Sequence, residues 1–560
     1  MTESSRTPDS PGPPESPGSP GTPDSPAPLA SPPATALRLR TARGRWVLFT
    51  TVLGSGMALL DSTVVSVALP HIGADLDADL GVLQWTVNAY MLTLAGLILL
   101  GGTLGDRYGR RRVFIVGIVW FALASLLCGL AWSPGVLIAA RALQGVGGAL
   151  LTPGSLALIQ ATFHPDDRAR AVGAWSGLGG VAAAVGPFLG GWLVDGPGWR
   201  WVFLLNVPLA LLCVPVALRY VPETRDPDAS GRFDVAGAAL GALALGGVTY
   251  ALIAAPEQGR SPVVVGTAVV GVVSAVAFVA LERRLRFPMV PPSVFASRQF
   301  TAVNGVTLGV YAAFGGFFFL SVVQLQVVVG WSALGAGTAL LPTTLLMLLL
   351  SARAGALGQR IGPRMPLTVG PLLCAGGMLL MTRAGPGASY AADVLPALLV
   401  LGAGMTLLVA PLTATVLASV DVTRAGLASG VNNAVARAAG LLAVAALPLL
   451  AGMGPEAYRE PAAFDSAFRV AMGWCAGVLV LAAVLAWLTV RADVLEPGAG
   501  QEAARVEGAE PERPGHAAGR AHAGRAAGRA HAEPHSTAEC HVHCGVSAPP
   551  LDPGHPPEQR

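Results

Sequence analysis

Fourteen separate runs of apolar residues, each long enough to cross a lipid bilayer as a helix, leave this chain few folds to choose from. They cover 46–70, 83–104, 113–132, 136–163, 172–194, 201–218, 235–255, 262–281, 302–327, 333–351, 365–382, 394–418, 425–450 and 470–490. A hydrocarbon core of about 30 Å takes roughly 20 helical residues, and only a helix satisfies its own backbone donors and acceptors there. The 560-residue chain is 12% charged, well below the roughly one quarter of an ordinary soluble domain. An all-α membrane protein is expected, and a soluble enzyme is not.

The arginines test the span count independently. With the amino terminus inside, 22 of them fall in the inner segments, including Arg107, Arg110, Arg111 and Arg112, and five in the outer loops. Positive charge stays preferentially on the cytoplasmic side of short loops. Both termini are therefore placed in the cytoplasm, with the spans in the inner (plasma) membrane. Arg141 and Arg437 are the only arginines within the runs, and Asp61 is the only carboxylate well inside one.

The flanks read differently. Residues 1–45 form a Pro- and Ser-rich arm that lacks the apolar content to order itself and the h-region of a secretory signal, so the first apolar run is expected to stay in the mature protein. The tail 491–560 reads as disordered and ends near Cys540-His-Val-His-Cys544. That spacing can ligate zinc or copper, but a lone cluster in such a tail supports no metal assignment. Every basic residue is Arg, so a phosphate-cradling loop ending in Lys-Ser/Thr is excluded and ATP-driven pumping with it. No cofactor is expected.

A repeat divides the chain. GTLGDRYGRRRVF, Gly102 to Phe114, joins runs 2 and 3, and GALGQRIGPRMPL, Gly355 to Leu367, joins runs 10 and 11, with Gly, Leu, Gly, Arg, Gly and Arg at matching offsets 253 residues apart. Many transporters are built from such repeats around a midplane site. The expected division is a six-span bundle at 46–218, a linker with two inserted spans at 219–301, and a second six-span bundle at 302–490.

Motifs in this order resemble the major facilitator superfamily, and within it the fourteen-span drug:proton antiporters of the EmrB/QacA type. The resemblance rests on LDSTVVSVALP (Leu60 to Pro70), GTLGDRYGRRR, LIAARALQGVGGAL (Leu137 to Leu150) and VGPFLGG (Val185 to Gly191). Ser66 stands where the family usually has Asn, and Ala182 where it usually has Gly. The resemblance implies a major-facilitator fold of two six-helix bundles plus two inserted helices. It also implies proton-coupled export of amphipathic or cationic small molecules by alternating access, with protons, a small-molecule substrate and lipid as partners and no nucleic acid. Under it Asp61 and Arg141 couple protons, Gly102, Asp106, Arg107, Gly109 and Arg110 form a conformational latch, and Gly186, Pro187, Gly190 and Gly191 form a gate.

Physical reasoning gives each residue two readings. An ionised group at mid-bilayer costs at least about 2.5–3.5 kcal/mol and so faces a cavity or a partner; Asp61 and Arg141 then serve either as a proton switch or as a static pair. The basic turn serves as latch or as ordinary cytoplasmic anchor, and the glycines as gate or as close packing. Trp85, Tyr90, Gln144, Gln324, Gln326, Asn432, Asn433 and Arg437 are candidate cavity groups, and each is equally placed to join helices or anchor at an interface. Asn433 and Arg437, four apart, share a helix face. Rival functions are a symporter or uniporter of the same fold and a non-transporting sensor or scaffold.

Overall fold

The computed structural model describes residues 37–225, 234–285, 288–420, 424–454 and 457–492. The readings for residues 1–36 and for the tail from 493 on, with Cys540 to Cys544, lie outside the described residues. Fourteen helices are long and apolar enough to span a membrane, and no strand occurs among the described residues. They are α1 Ala42–Asp75, α2 Leu80–Tyr108, α3 Arg110–Gly129, α4 Pro134–Thr162, α5 Pro165–Asp195, α6 Trp201–Tyr220, α7 Val235–Gln258, α8 Pro262–Glu282, α9 Arg298–Val328, α10 Ala333–Ile361, α11 Arg364–Met381, α12 Tyr390–Ala418, α13 Leu427–Leu450 and α14 Pro461–Thr489.

Helix starts follow the chemistry of their first residues. Asp79 accepts from Val82 N at 2.8 Å to open α2, and Asp234 accepts from Gly237 N at 2.7 Å to open α7. Ser133 and Ser261 each precede a proline at the first helical position, which needs no amide donor there. Helix ends are where sequence and structure part. The stretch read as a connection from Gly102 is helical to Tyr108, and its copy is helical to Ile361. The first pair of helices is joined by Gly109 alone, at φ 111°, and the second by Gly362, at φ 77°, and Pro363. Such φ values suit a residue without Cβ, so two long helices can meet across one residue at the first turn and two at the second. Similarly, α14 begins at Pro461 and not at 470, which brings Asp465 into the helix.

Helices α1 to α6 pack together, as do α9 to α14. A Cβ built on Gly147 of α4 would lie 2.7 Å from Phe121 N of α3, so small residues set the closeness of this contact. The inserted α7 and α8 pack on each other where Gly247 faces Gly271, and α7 lies against α2. The outward valines of α8, such as Val272 and Val276, are more than half exposed, as expected of a helix bathed in lipid.

Polar bridges between the two sets cluster at one end. Gln84 Nε2 donates to Val444 O at 2.6 Å, Gln326 Nε2 to Val67 O at 2.9 Å, and Arg459 Nη2 to Asp77 Oδ1 at 2.6 Å. The amides of Ala333 and Leu334 donate to the Asp195 carboxylate at 3.2 and 2.9 Å. All lie at the end of the bundle remote from Gly109 and Gly362. At the arginine-rich end the ion pairs Asp106–Arg110, Glu223–Arg111 and Glu223–Arg112 lie within the first set.

Candidate functional site

Sixteen residues into α1 from Arg45, Asp61 is 1% exposed, and everything around it satisfies its charge. Arg141 Nη1 of α4 donates to Asp61 Oδ2 at 2.5 Å. Gln144 Nε2, one turn further along α4, donates to Asp61 Oδ1 at 2.7 Å, and Asn206 Nδ2 of α6 reaches the same oxygen at 3.3 Å. The guanidinium is itself held: Arg141 Nε donates to Thr86 O of α2 at 2.9 Å and Nη1 to Gln144 Oε1 at 2.5 Å. Ser125 Oγ of α3 accepts from Gln144 at 2.8 Å and from Asn206 at 3.3 Å. Tyr90 and Phe203 rings lie 4.5 and 5.7 Å from the Arg141 guanidinium, adding quadrupole attraction to the ion pair.

Helices α1, α2, α3, α4 and α6 thus converge on one carboxylate. Such a pair is tolerated in a low-dielectric interior only because hydrogen bonds satisfy its remaining lone pairs and donors. Protonating Asp61 would strip the countercharge from Arg141 and change the partners of Gln144 and Asn206 together. The geometry is therefore chemically able to convert gain or loss of one proton into a rearrangement shared by five helices.

The other sequence candidates are dispersed. Trp85 turns toward Tyr250 of the inserted α7, ring centroids 6.2 Å apart. Gln324 is fully buried and donates to Ala384 O and Asp465 Oδ1, both at 2.7 Å, while Gln326 is one of the bridges between the two helix sets. Asn432 donates to Asn304 Oδ1 at 3.1 Å and Thr307 Oγ1 at 2.8 Å, and Asn433 is exposed and bonded to its own helix at Ser429 O. Asp465, read as part of a loop, is instead buried in the second turn of α14 and paired with Arg469 at 2.7 Å. It was missed because polar residues in the early turns of α14 lower local hydropathy.

At the Gly109 turn, Asp106 pairs with Arg110 at 2.7 Å. Glu223, just beyond α6, accepts from Arg111 N at 3.1 Å, and Arg110 N donates to Thr224 O at 2.9 Å. A Cβ on Gly109 would stand 2.6 Å from Glu223 Oε1. On α5, Gly190 lies against the backbone of Val64 in α1, and Gly191 against Ala333 and Leu334 of α10. The carbonyl of Pro187 abuts Gly337. The stretch from Gly186 to Gly191 therefore touches both helix sets at the bridged end. Sequence reasoning missed Ser125, Asn206 and Glu223. Ser125 and Asn206 were visible as lone polar residues in apolar runs, whereas nothing local marked Glu223.

Comparison with known proteins joins these observations. The Major Facilitator Superfamily profile matches residues 51–444. The chain belongs to the major facilitator superfamily. It is 38% identical over 463 residues to the puromycin resistance protein pur8 of Streptomyces alboniger, covering 80% of this chain and 91% of that protein. It is 35% identical to the tetracenomycin C resistance and export protein of Streptomyces glaucescens (75% and 78% covered), and 36% to the multidrug resistance protein Stp of Mycobacterium tuberculosis (69% and 72%). Among solved structures, a bacterial homologue of the human lysosomal transporter Spinster, in an inward-facing and unoccupied conformation, superposes with a TM-score of 0.58 at 18% identity, covering 80% of this chain and 97% of that one. The POT family transporter PepTSo superposes at 0.59 and 15%, with 80% and 97% covered. These structures share the fold. The protein is a multi-pass membrane transporter of this superfamily.

Proposed function

We propose that the protein is a proton-driven antiporter that exports amphipathic small molecules, drug- or antibiotic-like, by alternating access. The observation that carries this reading is the buried Asp61–Arg141 pair with its five-helix hydrogen-bond network. Asp61 carries the proton, Arg141 is the countercharge that favours its release, and Gln144, Asn206, Ser125 and Thr86 position the pair. Proton entry supplies about 2.3 kcal/mol per 100 mV and about 1.4 kcal/mol per pH unit. The relatives that are resistance and export proteins favour outward transport of the substrate.

The bundles at 46–218 and 302–490 rock around the inserted pair. With both termini in the cytoplasm of the plasma membrane, the bridged end is the outer one, so this state is sealed outside. Gly186, Pro187, Gly190 and Gly191 form the outer gate, because their lack of bulk permits the α5–α10 contact. Gly102, Asp106, Arg107, Gly109 and Arg110 form the inner latch, with Glu223 as an added member. Reconstitution into proteoliposomes tests the coupling. Asp61→Asn, fixed in the neutral form, is expected to insert and bind substrate but lose uphill efflux driven by a pH gradient, while Asp61→Glu keeps part of it with a shifted pH optimum. Full gradient-driven efflux by Asp61→Asn would overturn the assignment.

A further inference from the structure

Arg437 differs from every other charge in the middle of this bundle. It lies ten residues into α13 and is half-buried, and its Nε is buried with no hydrogen-bond partner. Among the described residues no carboxylate lies within ion-pair distance and no protein acceptor meets any of its donors. The ionisable groups that act on its charge, Tyr90 of α2 and Tyr311 of α9, come one from each helix set. Asp61, the nearby carboxylate across Tyr90, is already occupied by Arg141, Gln144 and Asn206. Counted together, Asp61, Arg141 and Arg437 leave one positive charge without a protein counterion at mid-membrane.

An unpaired guanidinium at that depth is costly, and retaining one is the mark of a charge whose partner arrives from elsewhere. We infer that Arg437 is the anchor for an anionic group of the transported molecule, a carboxylate or an ionised phenol or enol on an apolar, aromatic body. The planar fork of donors matches a carboxylate or a pair of adjacent oxygens. A cationic substrate would meet this charge with no compensating carboxylate. The inference rests on the transport reading above and narrows its amphipathic substrates to acidic ones.

Equilibrium binding to the full-length protein in nanodiscs, with empty discs subtracted, tests it. The probes are 1-naphthoate, 1-naphthamide and 1-naphthylmethylammonium, which share a ring and differ in charge. The carboxylate is expected to bind about tenfold more tightly than the ammonium, the scale of one charge-assisted hydrogen bond in a partly buried site. Arg437→Gln is expected to erase that preference and Arg437→Lys to keep most of it. Equal or tighter binding of the ammonium to the wild type overturns the inference, and so does a charge preference unchanged in Arg437→Gln. The wild-type series decides the question by itself if the Gln variant does not fold. Binding of the amide and ammonium probes without preference for the carboxylate refutes the anionic anchor and leaves the transport cavity standing. Binding of none of the three removes the cavity and the anchor together.

Discussion

The turns at Gly109 and Gly362 share one backbone device and are locked by opposite chemistry. In both, a glycine with positive φ lets two membrane helices meet across a very short turn, one residue at the first and two at the second, and in both the neighbour is the chain leaving the last helix of the same set. At the first turn that neighbour is polar: Glu223 and the carbonyls of Val221 and Thr224 engage the amides and guanidinium groups of Arg110 and Arg111. At the second, Gln359 and Pro363 stand where Asp106 and Arg110 stand in the first copy. There Gly362 presses on the backbone of Ala492, and Arg364 stacks 4.2 Å over the Trp487 ring. Duplication preserved the conformational need for glycine and left the side-chain lock free to diverge. A lock of hydrogen-bonded charges can exchange partners with water as it opens, whereas one of packed surfaces stays closed unless apolar area is exposed. The first turn is accordingly the better place for a moving latch.

Substitutions at the two turns break or sharpen this contrast. The largest effect is expected from Glu223→Ala, which frees Arg111 N and removes the shared acceptor of Arg111 and Arg112. Transport in proteoliposomes should fall about tenfold, the equivalent of roughly 1.4 kcal/mol in a conformational equilibrium, while Gln359→Ala at the second turn leaves the rate unchanged. Equal effects at both sites would show that charge is not what separates the turns.

Next in size is Gly362→Ala, which combines an unfavourable backbone conformation with a Cβ directed at the Ala492 carbonyl. A loss of about 1–2 kcal/mol is expected in chemical or thermal melts. Gly109→Ala is strained to a similar extent, but its Cβ meets the movable end of Glu223, so the loss should be smaller. A larger loss at Gly109 would reverse the assignment of the rigid lock. The smallest change belongs to Arg364→Gln, which removes the stacking on Trp487 for about 0.5–1 kcal/mol. That deficit should not vary with ionic strength, whereas the Glu223→Ala deficit should shrink as salt screens the exposed arginines.

Span number and type were legible because hydropathy acts locally: a run of about 20 apolar residues has one low-energy environment whatever its neighbours do. The fourteen helices of the structure overlap all fourteen runs. The 253-residue repeat was legible too, and in both copies the repeated stretch leaves helix at the matching glycine, Gly109 or Gly362. Helix ends were less legible, since α5 and α14 each extend several polar residues beyond the apolar run at the amino end.

What the sequence alone determined, then, is the set of helices, the alternation of arginine along them, the repeat and the presence of Asp61, Arg141 and Arg437 at membrane depth. Which of these charges found a partner was decided only by tertiary structure. Asp61 and Arg141 are 80 residues apart in the chain, and Asp61 and Asn206 are 145 apart. Their meeting depends on how each helix is rotated about its own axis and how closely glycines let neighbours approach, and neither quantity is written in any local window. The same holds for Arg437, whose isolation is a property of everything that could have faced it and does not. Burial in lipid depends on a segment's own composition, whereas pairing depends on the sum of all packing contacts across the bundle, and only the folded chain evaluates that sum.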